Sequence, residues 1–214
     1  MKNTVNYFWS WFKEHNSKFK NLNTLSAKER KHYMFWLDWQ LHFYCPGIDF
    51  IMVLPSGATT KTQMIITANA DENFFDKVEE VVKFAPKLKD WDFTAFVQPT
   101  ADIDEMSVGL DKPFIYKDIS IKASELRFMP FEYEGGKKID MLVYLPNFTE
   151  LGGDENLYEA VFIIIQDFIG EKSLAENINF FELDQLSVEE DMELIYLYDL
   201  PLYLDDIHNN TEEI

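Results

Sequence analysis

Asp71-Glu72-Asn73-Phe74-Phe75-Asp76-Lys77-Val78 returns 83 residues later as Asp154-Glu155-Asn156-Leu157-Tyr158-Glu159-Ala160-Val161. Each copy follows two strand-like runs and precedes a third, which predicts a β-β-α-β unit used twice. In the first copy, 48–54 is an apolar run of strand length, Pro55-Ser56-Gly57 turns the chain, and 62–68 returns. Phe74, Phe75, Val78, Val81, Val82 and Ala85 then recur at helical spacing. Trp91, Phe93, Ala95 and Val97 alternate with Asp92, Thr94 and Phe96, the period of a strand with one buried face. In the second copy, 127–134 and 139–145 form a hairpin around Gly135-Gly136, with Pro130 marking an edge or a bulge. Val161-Phe162-Ile163-Ile164-Ile165 taken alone reads as a buried strand. The repeat makes it helix, because Leu157, Tyr158, Val161, Ile164, Ile165 and Phe168 align at constant offset with the six apolar positions of the first helix. Gly170 marks its end, and Ile178, Phe180 and Leu183 belong to a third strand.

Around the copies lie a helical N-terminal segment (1–47), an insertion (99–126) and an acidic C-terminal segment (185–214). The N-terminal segment predicts two helices. Val5, Phe8, Trp9, Phe12 and Phe19 share a face of the first, while Lys13, Glu14, His15 and Asn16 lie toward water. Ser26-Ala27-Lys28-Glu29 is a capping box opening the second, whose apolar row is Tyr33, Met34, Trp36, Leu37, Leu41 and Tyr44. Cys45-Pro46-Gly47 closes it. The insertion is expected to carry short strands near 106–110 and 114–121. With no Pro-, Gly- or Ser-rich linker, 1–214 reads as one α+β domain. Its repeats (48–98 and 127–184) would share one continuous, largely antiparallel sheet, with the N-terminal helices packed on its helical face. The second-copy helix carries Ala160, Phe162 and Ile163 at positions polar in the first, so it needs cover on two faces; the aromatic N-terminal helices are the expected cover.

The chain has 214 residues and buries a core without needing a disulfide or metal. Cys45 is the single cysteine, which fits a reducing compartment. No apolar run reaches membrane-spanning length, and Met1-Lys2-Asn3-Thr4-Val5-Asn6-Tyr7 lacks a signal core, so a soluble, cytoplasmic protein is expected. Net charge is −19, and 12 acids follow Lys172 with no further Lys or Arg. Such a field repels phosphate backbones and anionic lipid, disfavouring nucleic acid and membrane surfaces as partners. Residues 1–45 are basic by contrast, with a net of +4.

Candidate sites are few. Asp71 and Asp154 precede equivalent helices; a carboxylate pair is conceivable, but N-capping by itself accounts for Asp at that point. His42 and Cys45 have a three-residue spacing that suits a metal, yet lack further ligands, and read as a buried thiol beside a ring. Gly135-Gly136-Lys137-Lys138 lacks phosphate-loop spacing. Gly152-Gly153 leads into a helix but is ringed by Glu150, Asp154 and Glu155. The segment 7–12, dense in aromatics, suits core packing better than a membrane surface. No catalytic residue, cofactor site or metal site is assigned. Glu189, Glu190 and Asp191 are the expected protein-binding acids, meeting a basic partner by electrostatic steering.

Ile65-Ile66-Thr67-Ala68-Asn69-Ala70-Asp71, Phe84-Ala85-Pro86-Lys87-Leu88-Lys89-Asp90-Trp91 and Gly170-Glu171-Lys172-Ser173-Leu174-Ala175 together resemble a group of conserved bacterial hypothetical proteins of unassigned function. Asp90 stands where that group usually has Gly. The resemblance implies a stand-alone intracellular bacterial protein and brings no functional residue with it. The expected function is a non-enzymatic, acidic protein-binding module, similar to immunity or inhibitor proteins in its acidity and size. The alternative is an enzyme or small-ligand binder with a pocket between the repeats.

Overall fold

The computed structural model describes residues 4–55, 61–133, 135–151, 155–187 and 194–211. In chain order the elements are α1 (Val5–Lys20), α2 (Ala27–Tyr44), β1 (Asp49–Val53), β2 (Thr62–Thr67), α3 (Phe75–Lys83), β3 (Trp91–Ala95), α4 (Ile103–Ser107), β4 (Phe114–Tyr116), β5 (Ile119–Ile121), β6 (Arg127–Phe131), β7 (Ile139–Leu145), α5 (Phe148–Leu151), α6 (Glu155–Asn177), β8 (Ile178–Gln185), β9 (Ile195–Tyr196) and α7 (Leu200–Thr211). The chain divides into two compact units, Met1–Val97 and Gln98–Ile214.

In the first unit β1 and β2 pair antiparallel, and β3 returns parallel to β2 after the α3 crossover. Alternation sends Thr62, Met64 and Ile66 to one face, where all three are buried. Val78 and Val81 of α3 are buried too, and α1 closes over β3. Trp9 Nε1 donates to the Val81 carbonyl at 2.8 Å, and the Phe12 ring meets Trp91 edge-on at 4.8 Å. α2 is held by its Ser26 capping box: the Ser26 amide donates to Glu29 at 3.0 Å, and the Glu29 amide donates to the Ser26 hydroxyl at 3.3 Å. At its other end the Tyr44 hydroxyl donates to Glu80 at 2.8 Å. Lys77 and then Tyr44 hold the Glu80 carboxyl below its ordinary range. Asp71 accepts from the Asn73 amide at 3.0 Å and so caps the 3-10 turn Glu72–Phe74 that leads into α3. Asp71→Ala is expected to cost about 0.5–2 kcal/mol, read as a lower urea midpoint at unchanged slope. An unaltered midpoint would remove the cap from the account.

The second unit repeats the order of hairpin, helix and parallel strand. β6 and β7 pair antiparallel, and β8 runs parallel to β7 after α6. Residues 161–165 are helical, within α6, and Gly170 interrupts that helix at φ 76° and ψ 164°. A left-handed φ is easy only for glycine, so the stop read from sequence falls where the backbone breaks. β9 adds to the outer side of β6 at Arg127 and Phe128 alone, which leaves Pro130 beyond its reach.

Several expectations are corrected. Among the described residues the strands form three sheets rather than one continuous sheet: β1-β2-β3, β4-β5, and β8-β7-β6-β9. Both larger sheets are mixed rather than largely antiparallel, because a helix between two neighbouring strands carries the chain back to start the second in the same direction as the first. A helix replaces the strand expected near 106. Asp102 accepts from the Glu105 amide at 3.0 Å, Asp104 and Glu105 occupy the positive end, and Gly109 at φ 69° follows its close. α6 contacts α7 and the β4–β5 hairpin. Tyr116 of that hairpin donates to Glu159 at 2.5 Å, and Lys117 lies 3.1 Å from the same carboxylate. Within the first unit α1 packs on Val81 and Trp91. No helix among the described residues is long and apolar enough to cross a membrane.

Candidate functional site

α2 carries apolar residues on two opposite sides. Leu37 and Leu41 are buried, whereas Trp39 and Phe43, two residues further on from each and about 200° round the helix, face outward. Four-residue steps align Phe35, Trp39 and Phe43, with Trp36 alongside. Their exposures are 57%, 43%, 49% and 39% in that order. The Trp39 and Phe43 rings stack at 5.1 Å, Trp36 meets Trp39 edge-on at 5.7 Å, and Phe35 meets Trp36 at 5.6 Å. Four large rings on two turns of one helix make an apolar patch of the kind that marks interaction surfaces.

His42 and Cys45 do not form a ligand pair. Cys45 is buried at the end of α2, while His42 Nδ1 points to Asp38 Oδ1 at 3.3 Å. Asp49, opening β1, is the third member: donor atoms of Asp38, His42 and Asp49 lie within 4.8 Å of one another. One nitrogen and two oxygens from a helix turn and a strand start are a donor set compatible with a divalent cation. The same geometry is fully explained by an i, i+4 pair beside a half-buried Asp49, whose Oδ1 accepts from the Phe50 amide at 2.7 Å.

The second unit holds a cavity of about 430 Å³ bounded by α4, the stretch after it, and α6. Asp167 of α6 accepts from the Thr100 hydroxyl at 3.1 Å, and its carbonyl accepts from the Thr100 and Ala101 amides at 2.9 and 3.1 Å. Burial pushes the Asp167 carboxyl above the ordinary aspartate value of 3.8, and the Thr100 hydroxyl offsets part of that rise. A raised carboxyl pKa favours the neutral form in the folded state. Its stabilising effect is therefore full below about pH 3.8 and is lost as pH rises through the folded-state value. Asp111, Asp102, Glu105 and Lys112 line the same cavity. A second cavity of about 420 Å³ is lined by Arg127, whose guanidinium stacks 3.6 Å over the Tyr196 ring.

Of the residues singled out from sequence, Glu189, Glu190 and Asp191 lie outside the described residues, as do Gly152, Gly153 and Asp154. Asp71 is a cap, and Gly135-Gly136 is a hairpin turn, with Gly135 at φ 71° and the Gly136 amide donating to the Tyr133 carbonyl at 2.8 Å. Trp36, read from sequence as part of the apolar row of α2, faces outward. The signal for the exposed rings was present: 33–44 carries more apolar residues than one helical face can hold. Asp111 and Asp167 carried no signal, being isolated acids in an acidic chain. No protein-family model matches the chain, and neither a curated protein nor a solved structure matches it.

Proposed function

We propose that this protein is a non-enzymatic binding module that seats a basic protein on the aromatic face of α2. The ring row Phe35, Trp36, Trp39 and Phe43 carries this reading, because exposed Trp and Phe clusters are the residue types that dominate binding energy at interfaces. Charge supports the choice of partner. Net charge is −19 over the chain, although residues 1–45 carry a net of +4, so the local attraction for Arg and Lys side chains comes from the faces of the exposed Trp and Phe rings, by about 0.5–1 kcal/mol per contact. The basic residues of α2, Lys28, Arg30 and Lys31, occupy its opening turns, whereas Trp39 adjoins Asp38. The acids Glu189, Glu190 and Asp191 then act in long-range steering rather than as the contact itself. In this reading the second β-β-α-β unit is a copy of the first, related to it by the phrase at 71 and 154, and serves as acidic scaffold.

The test compares wild type with a Trp36→Ala/Trp39→Ala double variant as bait, followed by kinetics with the captured basic protein. The variant is expected to keep its melting temperature and to lose about 2 kcal/mol of binding, roughly thirtyfold. Raising salt should slow association, since exposed charges are screened over about 8 Å at physiological ionic strength. Equal affinity for both baits would reject the reading. So would a wild type that sediments as a dimer and a variant that sediments as a monomer, because the rings would then be a self-interface.

A further inference from the structure

We infer that the ring face of α2 receives an arginine side chain of the partner, whose guanidinium sits between Asp38 and Asp49 against the ring row. This rests on the reading of that row as the docking face and names the residue type it takes. On a helix, residues three apart are neighbours, so Asp38 adjoins Phe35 and His42 adjoins Trp39. Asp49, at the start of β1, reaches the same place: donor atoms of Asp38, His42 and Asp49 lie within 4.8 Å of one another. Among the described residues neither carboxylate pairs with a Lys or Arg. Asp38 meets the His42 imidazole at 3.3 Å, and Asp49 accepts from the adjoining Phe50 amide. Two like charges held this close repel, and an opposite charge brought by a partner offsets that repulsion.

The surroundings of the two carboxylates define the cation. On the helix side lie the exposed rings of Phe35, Trp39 and Phe43, which mark an interaction surface independently of the acids. On the strand side Ile51 and Val53 follow Asp49 at two-residue steps on one face of β1, and both are exposed. The carboxylates therefore lie in a seam between two apolar strips. A guanidinium fits such a seam. Its plane stacks on aromatic rings, and its edge carries five donors that can serve two carboxylates at once. An ammonium is a compact, strongly hydrated point charge and gains less from the rings. Magnesium and calcium take oxygen ligands, so the imidazole makes this a poor seat for them. Arginine is also among the residue types that dominate binding energy at interfaces.

Calorimetric titration of the full chain at physiological salt tests this with a blocked peptide of alternating Arg and Gly. Its counterparts carry Lys, or neutral citrulline, in place of every Arg. One saturable site is expected for the Arg peptide, about tenfold tighter than for the Lys peptide, with none for the citrulline peptide. The Asp38→Asn/Asp49→Asn variant should weaken the Arg peptide about tenfold or more, and Trp36→Ala/Trp39→Ala should weaken it as well. Asn at 49 keeps an acceptor for the Phe50 amide, and an unchanged melting temperature checks that the fold is intact. Asp205→Asn/Asp206→Asn removes two exposed acids of α7 and should leave the affinity unchanged. Equal weakening by both Asp-to-Asn pairs would overturn the proposal, reducing binding to general attraction by acids. So would equal affinity for the Arg and Lys peptides, absence of a saturable site in wild type, or displacement of the peptide by an equal concentration of zinc. Loss of binding in the ring variant alone would overturn the arginine seat and leave the docking face standing, whereas no loss in either variant would remove both.

Discussion

Phe12→Ala is expected to remove about 3–5 kcal/mol of stability, the cost of deleting a fully buried aromatic side chain. Phe12 has no exposed surface, and five rings surround it, Phe8 being the most distant at 6.3 Å. Trp9 stands edge-on at 5.5 Å, Phe19 stacks at 5.6 Å, and Trp91 and Phe93 meet it at 4.8 and 5.6 Å. Both ends of the contact are rigid, since Trp9 is tied to the Val81 carbonyl and Trp91 and Phe93 belong to β3. The cavity left by truncation therefore collapses little, and the upper half of the range applies. Urea unfolding followed by tryptophan fluorescence measures the loss, with Phe12→Leu expected to lose much less. A Phe12→Ala midpoint within error of wild type would mean that α1 is not part of the core. Trp39→Ala, on the outward face of α2, is the built-in contrast, expected within about 0.5 kcal/mol of wild type.

Gly47→Val should cost about 3 kcal/mol for the opposite reason, overfilling. A β-carbon at Gly47 would lie 2.2 Å from the tip of the Phe74 ring, and Val adds two methyls beyond it. The backbone of Gly47 is not left-handed, so the loss comes from space rather than from φ. That distinction is testable with a second substitution. Phe74→Ala removes the obstructing ring, and the Gly47→Val/Phe74→Ala double variant should be more stable than the sum of the two single losses predicts, by about 1 kcal/mol or more. Additive losses would show that Gly47 is needed for its backbone and not for the seat it gives Phe74.

Both residues illustrate where sequence reading stops. Gly47 was legible as part of Cys45-Pro46-Gly47, the terminator of α2, because helix endings are local chemistry. That its α-carbon carries the Phe74 ring is a contact across 27 positions of chain, and no local pattern encodes it. Likewise Phe12 and Trp39 are both aromatic residues in amphipathic helices. The single apolar face of α1 places Phe12 unambiguously, whereas α2 has apolar residues on two sides, and only packing against α1 and β1 decides that Leu37 and Leu41 go in and Trp39 stays out.

The sequence by itself determined α1, α2 and the two successions of hairpin, helix and strand, but not α4, α5, β9 or α7. The capping box at Ser26, the cap at Asp71, the break at Gly170 and the succession of hairpin, helix and strand after 48 and after 127 all follow from spacing and backbone chemistry. The tertiary structure alone decided which strands share a sheet and which direction β3 and β8 take. It also decided which elements cover α6, and that Asp111 loses its solvent without gaining a full set of donors. The physical reason is one of range. Caps, turns and hydrophobic periodicity act over a few residues and can be read from a few residues. Sheet edges, buried charges and exposed aromatic faces depend on which surfaces remain after every other surface has been covered.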